Sequence, residues 1–99
     1  MVRILSQELI RLRQVQAVTA LIALAIHAKR DVSFAPTKSL NTERWHVLVG
    51  TVQFELLLNG PKFFDVRAKV GGGGAIDLAM HLHHVGFNAA IALLQQRGV

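Results

Sequence analysis

A chain of 99 residues, about half of them apolar, has room for one domain and one modest core. Its 11 Lys and Arg against 6 Asp and Glu give a formal charge of +5, which favours an anionic partner such as nucleic acid or an acidic protein surface. The absence of cysteine excludes disulfides and thiolate metal sites and fits a reducing cytoplasm; so short a chain favours a binding module, or a piece of a larger enzyme, over a self-contained catalyst.

Residues 5–29 are helical in character. Ser6 is placed to cap the N-terminus, with Gln7 and Glu8 favourable in the first turn. No Gly or Pro occurs before Pro36, and a break is allowed near Arg13–Val15. Leu5, Ile10, Val15, Val18, Leu21, Ile22, Leu24 and Ile26 give wide apolar coverage, so the helix is buried or meets a partner chain. Lys29 and Arg30 suit the negative end of its dipole. The apolar run Val15–Ala28 is too short to span a bilayer and is interrupted by Gln16, Thr19 and His27. Residues 31–43, DVSFAPTKSLNTE, read as a polar connector around Pro36.

Residues 44–66 read as a three-stranded antiparallel meander. RWHVLV and TVQFELLL are divided at Gly50. In the second run Val52, Phe54, Leu56 and Leu58 share one face, with Thr51, Gln53 and Glu55 on the other. Asn59-Gly60 is a hairpin signal because both residues tolerate positive φ, and Pro61 leads into KFFDV. RAKVGGGG, residues 67–74, reads as a mobile basic loop. A helix is expected over residues 75–85 and a last one over residues 88–96, with Gly98 at its C-terminal cap. The expected class is α+β: a three-stranded sheet flanked by an N-terminal helix and two C-terminal helices. It forms a single module divided into a helical segment 1–30, a connector 31–43 and a sheet-plus-helices unit 44–99.

KFFDVRAKVGGGGAIDLAMHLHHVGFNAAIALL is the distinctive stretch. Its paired aromatics are Phe63-Phe64, its glycine turn runs from Gly71 to Gly74, Ile76-Asp77 opens a helix, and Phe87, Asn88, Ala89 and Ala90 open the next. With RWHVLVGTVQFELLLNGPK upstream, residues 44–95 resemble the zinc-binding domain found at the N-terminus of bacterial DNA primases. The knuckle cysteines of that family would fall at Val66 and Lys69, and the earlier ligands near Trp45 and Leu48, with His46 alone beside them. The chain is thus similar to cysteine-less variants that precede toprim-type domains in plasmid- and mobile-element-linked primase-like proteins. That resemblance implies a degenerate zinc-ribbon-like fold without zinc or other cofactor. The core would supply the stability that zinc supplies elsewhere; Phe54, Leu56, Phe63, Phe64 and Val66 are its candidates. It implies a non-catalytic DNA-binding module for replication, cytoplasmic, whose partners are single-stranded DNA or RNA and a primase or toprim catalytic domain in the same chain or another.

The residues offer a matching interface. Lys62, Arg67 and Lys69, with Arg44 on an adjoining strand, can form a basic strip beside the sheet. Trp45 or one of Phe63 and Phe64 can stack a base, and alternation leaves at most one of that pair free. Gly71, Gly72 and Gly73, preceding a helix, can cradle a phosphate. The bland alternatives are core aromatics, solvated cations and a flexible turn. Asp77, His81 and His84 recur at helical spacing and define a weak metal alternative, and with it a small metal-dependent enzyme. Against this stands a polar helix face on which Asp77 accepts from His81. A further alternative is a protein-interaction module, docking or pairing with a second copy through residues 15–26.

Overall fold

The computed structural model describes residues 5–99, so the first four residues of the 1–30 segment lie outside the described residues. Helices α1 (Ser6–Gln14) and α2 (Ala17–Leu24) lead into strands β1 (His27–Arg30), β2 (Glu43–Val49), β3 (Val52–Asn59), β4 (Lys62–Asp65) and β5 (Val70–Gly73), and helices α3 (Ala75–His83) and α4 (Phe87–Gln96) follow. The class is α+β. The five strands form one antiparallel sheet in chain order. The expected three-stranded meander is β2–β3–β4, and a strand is added at each edge.

Both additions come from segments whose local signals pointed elsewhere. The N-terminal segment breaks at Val15 and Gln16, both extended, because the Ala17 N–H donates to the carbonyl of Gly60 in the β3–β4 turn at 2.8 Å. Helix α2 stops at Leu24 rather than near residue 29. The Ile26 N–H donates to the Leu48 carbonyl at 2.9 Å, and His27–Arg30 then pair with Trp45–Leu48. Lys29 and Arg30 therefore sit on an edge strand, where cations discourage further strand addition, and not at a helix end. Ser6 is the first helical residue; the cap position is Leu5, and no side chain bonds there.

At the other edge, the glycine run is a strand and not a loop. Val70–Gly73 pair with Lys62–Asp65, and the turn between them is closed by the Lys69 N–H donating to the Asp65 carbonyl at 2.8 Å, with Lys69 at φ 57°. A Cβ on Gly72 would lie 2.7 Å from the Phe63 ring. Gly74, at φ 100°, lets the start of α3 meet the Arg13 backbone of α1. The β3–β4 turn is also displaced by one residue: Asn59 pairs with Lys62, so Gly60-Pro61 make the turn, and Gly60 at φ 57° carries the positive φ. Helix α3 ends two residues early, where His84 adopts the left-handed conformation at φ 52°.

The helices cover one face of the sheet. Val47, Val49, Phe54, Leu56, Leu58 and Phe63 point into them and are buried with Leu12, Leu21, Leu24, Leu78, Leu82, Ile91 and Leu94. Of the expected core residues, Phe54, Leu56 and Phe63 are buried, Val66 is half-buried, and Phe64 is 41% exposed on the other face. No described helix is long and apolar enough to cross a membrane.

Gly72→Ala is expected to lose roughly 1–3 kcal/mol, because the added methyl must displace a buried ring. Gly73→Ala is expected to be close to neutral, since nothing lies within 4 Å of its Cβ position. Urea unfolding of the two variants checks this. Equal losses would overturn the assignment of Gly72 to the core side of β5.

Candidate nucleic-acid interface

Strand alternation divides the sheet into a covered face and an open one. The register aligns Arg44, Leu57, Phe64 and Gly71 in one row across the open face, and Lys29, His46 and Glu55 in the next. His27, Leu48 and Gln53 form a third row, and Asn59, Lys62 and Gly73 a fourth at the opposite end. None of these residues is buried. The open face carries a half-buried Leu57, an exposed Phe64 beside it, and glycine at the sheet edge.

Of the residues expected at an interface, the structure brings Arg44, Lys62, Gly71 and Gly73 to this face. Arg67 and Lys69 lie in the turn after β4, exposed. Arg44 is not a free cation: it pairs with Glu55. The Arg44 guanidinium holds the Glu55 carboxyl below its ordinary range. Lys29, Lys62, Arg67 and Lys69 make no ion pair among the described residues, as is also true of Arg13, Lys38 and Arg97 elsewhere on the chain.

Trp45 and Gly72 are placed on the wrong side for such contacts. Trp45 shares the covered face with Val47 and Val49, packs against the core, and donates its indole N–H to Glu43 at 3.1 Å. Gly72 lies over the Phe63 ring. Phe64 is the aromatic that remains free. The alternation of Phe63 and Phe64 already pointed to one free ring; knowing which one required the register. Lys29 was missed because residues 27–30 read as helix.

The metal alternative does not assemble. His81 turns inward, with its Nε2 2.6 Å from Asp65 Oδ2 and its ring against Phe54 and Phe63, at centroid distances of 5.7 and 5.5 Å. Asp77 accepts from the Gly73 N–H at 3.3 Å and does not meet His81. His84 forms the left-handed cap of α3. Among the described residues, no three His, Cys, Asp or Glu side chains gather as a metal site.

Asp65 is 3% exposed. Its Oδ1 accepts the N–H groups of Arg67 and Ala68, each at 3.0 Å, and Oδ2 meets His81. Burial opposes its ionisation. The Ala68 N–H, the His81 side chain and the Arg67 N–H outweigh that, so its carboxyl lies below the ordinary carboxylate range. The turn carrying Arg67 and Lys69 is thus shaped by an ionised carboxylate anchored to α3.

No family model matches the chain, and neither a curated protein nor a solved structure matches it.

Because the folded-state pKa of Asp65 is lowered, its contribution to stability is complete above the unfolded value near 3.8. That contribution is lost as pH falls from there through the lower folded value. Asp65→Ala leaves two turn N–H groups and His81 without their acceptor and is expected to lose roughly 3 kcal/mol. Asp65→Asn keeps an acceptor, loses less, and flattens the acid limb of the urea midpoint against pH. An unchanged acid limb in Asp65→Asn would show that another carboxylate controls acid stability.

Proposed function

We propose that this protein is a non-catalytic module that engages single-stranded DNA or RNA on the open face of its sheet. In this reading it serves a primase-like or toprim-type replication enzyme in the cytoplasm. The catalytic domain lies elsewhere, in the same chain or in another, and no zinc is held.

The observation that carries the reading is Phe64. A large aromatic on a sheet face with no helix over it lies beside Leu57 and the glycine edge, with Lys62 two residues before it and Arg67 three after. Every base has a π-face, so an exposed ring flanked by cations holds single strands with little sequence preference. Duplex bases are stacked on one another and cannot lie on the ring without unpairing. The free cations supply the phosphate contacts, and their small number fits a module that adds to the affinity of a larger enzyme.

A second reading is supported by Ile22 at 62%, Ile26 at 71% and Val52 at 48% exposure. These apolar side chains are the material for docking on a catalytic domain or for pairing two chains. Sedimentation at micromolar concentration tests the latter; a dimer abolished by Ile26→Asp would favour it.

Titration of a labelled single-stranded oligonucleotide, beside a matched duplex, tests the main reading. Single strands are expected to bind better. The logarithm of affinity should fall against the logarithm of salt with a slope of about −2 to −3, as three or four phosphate contacts would give. Phe64→Ala should weaken binding roughly tenfold, and charge reversal at Lys62, Arg67 and Lys69 should flatten the salt slope. No binding at any salt, or binding indifferent to Phe64, would sink the proposal.

A further inference from the structure

The open face has a second feature, away from Phe64. Beside β1, a recess of 240 Å³ is lined by His27, Lys29, His46, Gln53 and Arg67, with Leu48 among its apolar lining. Three elements contribute: the edge strand, the central β2–β3 pair, and the turn held by Asp65. Each of the five polar side chains can donate a hydrogen bond, and no carboxylate lines the recess. The side chains of His27, Lys29, Gln53 and Arg67 have no hydrogen-bond or ion-pair partner among the described residues.

Two acids stand behind this lining. Asp31 Oδ2 lies 3.7 Å from His46 Nε2, and Glu55 Oε1 lies 3.8 Å from His46 Nδ1. Glu55 is taken up by Arg44, and Asp31 accepts from the Ser33 hydroxyl and N–H at 2.6 and 3.0 Å. Each therefore has partners of its own.

We propose that this recess is a phosphate-binding site for a phosphomonoester, either the terminal phosphate of a strand or a free phosphate. His46 is shared with Asp31 and Glu55, and Arg67 also acts on Glu55, while His27, Lys29 and Gln53 have no side-chain partner among the described residues; convergent donors of this kind suit an oxyanion with several acceptor oxygens. A doubly charged terminal phosphate matches two cations and two imidazoles better than a singly charged internal diester does. Lys29 and Arg67 supply charge, and Gln53, His27 and His46 supply further donors. Asp31 and Glu55 are both held below the ordinary carboxylate range, Asp31 chiefly by Ser33 and Glu55 by Arg44. The strand-end form of this inference rests on the nucleic-acid reading above; the recess as a phosphate site does not.

The test compares two otherwise identical single-stranded oligonucleotides, one ending in phosphate and one in hydroxyl, with inorganic phosphate as a separate probe. NMR follows the imidazole resonances of His27 and His46. The phosphorylated strand is expected to bind roughly tenfold tighter at neutral pH. That margin should vanish in Lys29→Ala and His46→Gln, whose side chains lie outside the core, and should survive Phe64→Ala. If inorganic phosphate moves the imidazole resonances but neither oligonucleotide binds, the site stands with free phosphate as its source and the nucleic-acid reading falls. If both oligonucleotides bind alike and inorganic phosphate moves neither imidazole, the phosphate site is overturned and the nucleic-acid reading stands. If nothing binds, both are overturned.

Discussion

The buried carboxylate of Asp65 joins the end of β4, the turn that follows it and helix α3. One oxygen shapes the β4–β5 turn through two backbone N–H groups, and the other holds His81 of α3 between Phe54 and Phe63. An ion removed from water costs several kcal/mol unless its oxygens are well partnered, and here both are. The arrangement fixes where β4 ends, how the turn is formed, and how deeply α3 sits on the sheet. The glycine strand depends on it in turn, because β5 begins where that turn closes.

Strand alternation divides the sheet into two faces with different physics. On the covered face, Phe63 and Asp65 point inward with Leu56 and Leu58, and helices exclude water. On the open face no side chain is buried, so apolar groups there gain little from the fold itself. A Cβ on Gly73 would meet nothing within 4 Å, and its φ lies outside the positive range, so the fold does not demand glycine there. Gly72 and Gly74 have internal reasons for being glycine; Gly73 leaves the surface beside Lys62 flat. Flatness beside an exposed ring and cations suits contact with a planar ligand more than it suits the packing of the domain.

What could be read from the sequence follows how local each determinant is. Strands β2 and β3 were legible because alternation along TVQFELLL is a property of neighbours in the chain, and it placed Phe54, Leu56 and Leu58 correctly on the core side. The edges of the sheet were not. His27–Arg30 carry no strong strand signal and follow a helix without Gly or Pro; their structure is set by Trp45–Leu48, far along the chain. Val70–Gly73 look like a loop by composition and become a strand because Gly72 alone fits over Phe63. Errors about the site came from the same source. Trp45 and Arg44 are adjacent in sequence and therefore on opposite faces, while the partner of His81 is sixteen residues away and not the Asp77 of its own helix.

The placement of charge also becomes intelligible once the faces are assigned. Glu8 is spent on Arg11, Glu43 approaches Arg30, and Glu55 is held by Arg44. Asp65 is committed to the turn and Asp77 to the Gly73 N–H. Each of these acids has a partner within the fold, whereas Lys29, Lys62, Arg67 and Lys69 form no ion pair among the described residues. Arg13, Lys38 and Arg97 also make no ion pair, so the unpaired charge of the described residues is shared between the open face and other surfaces. Much of it lies along the open face and the turn beside it, where it raises the local concentration of anions at the one sheet surface no helix covers.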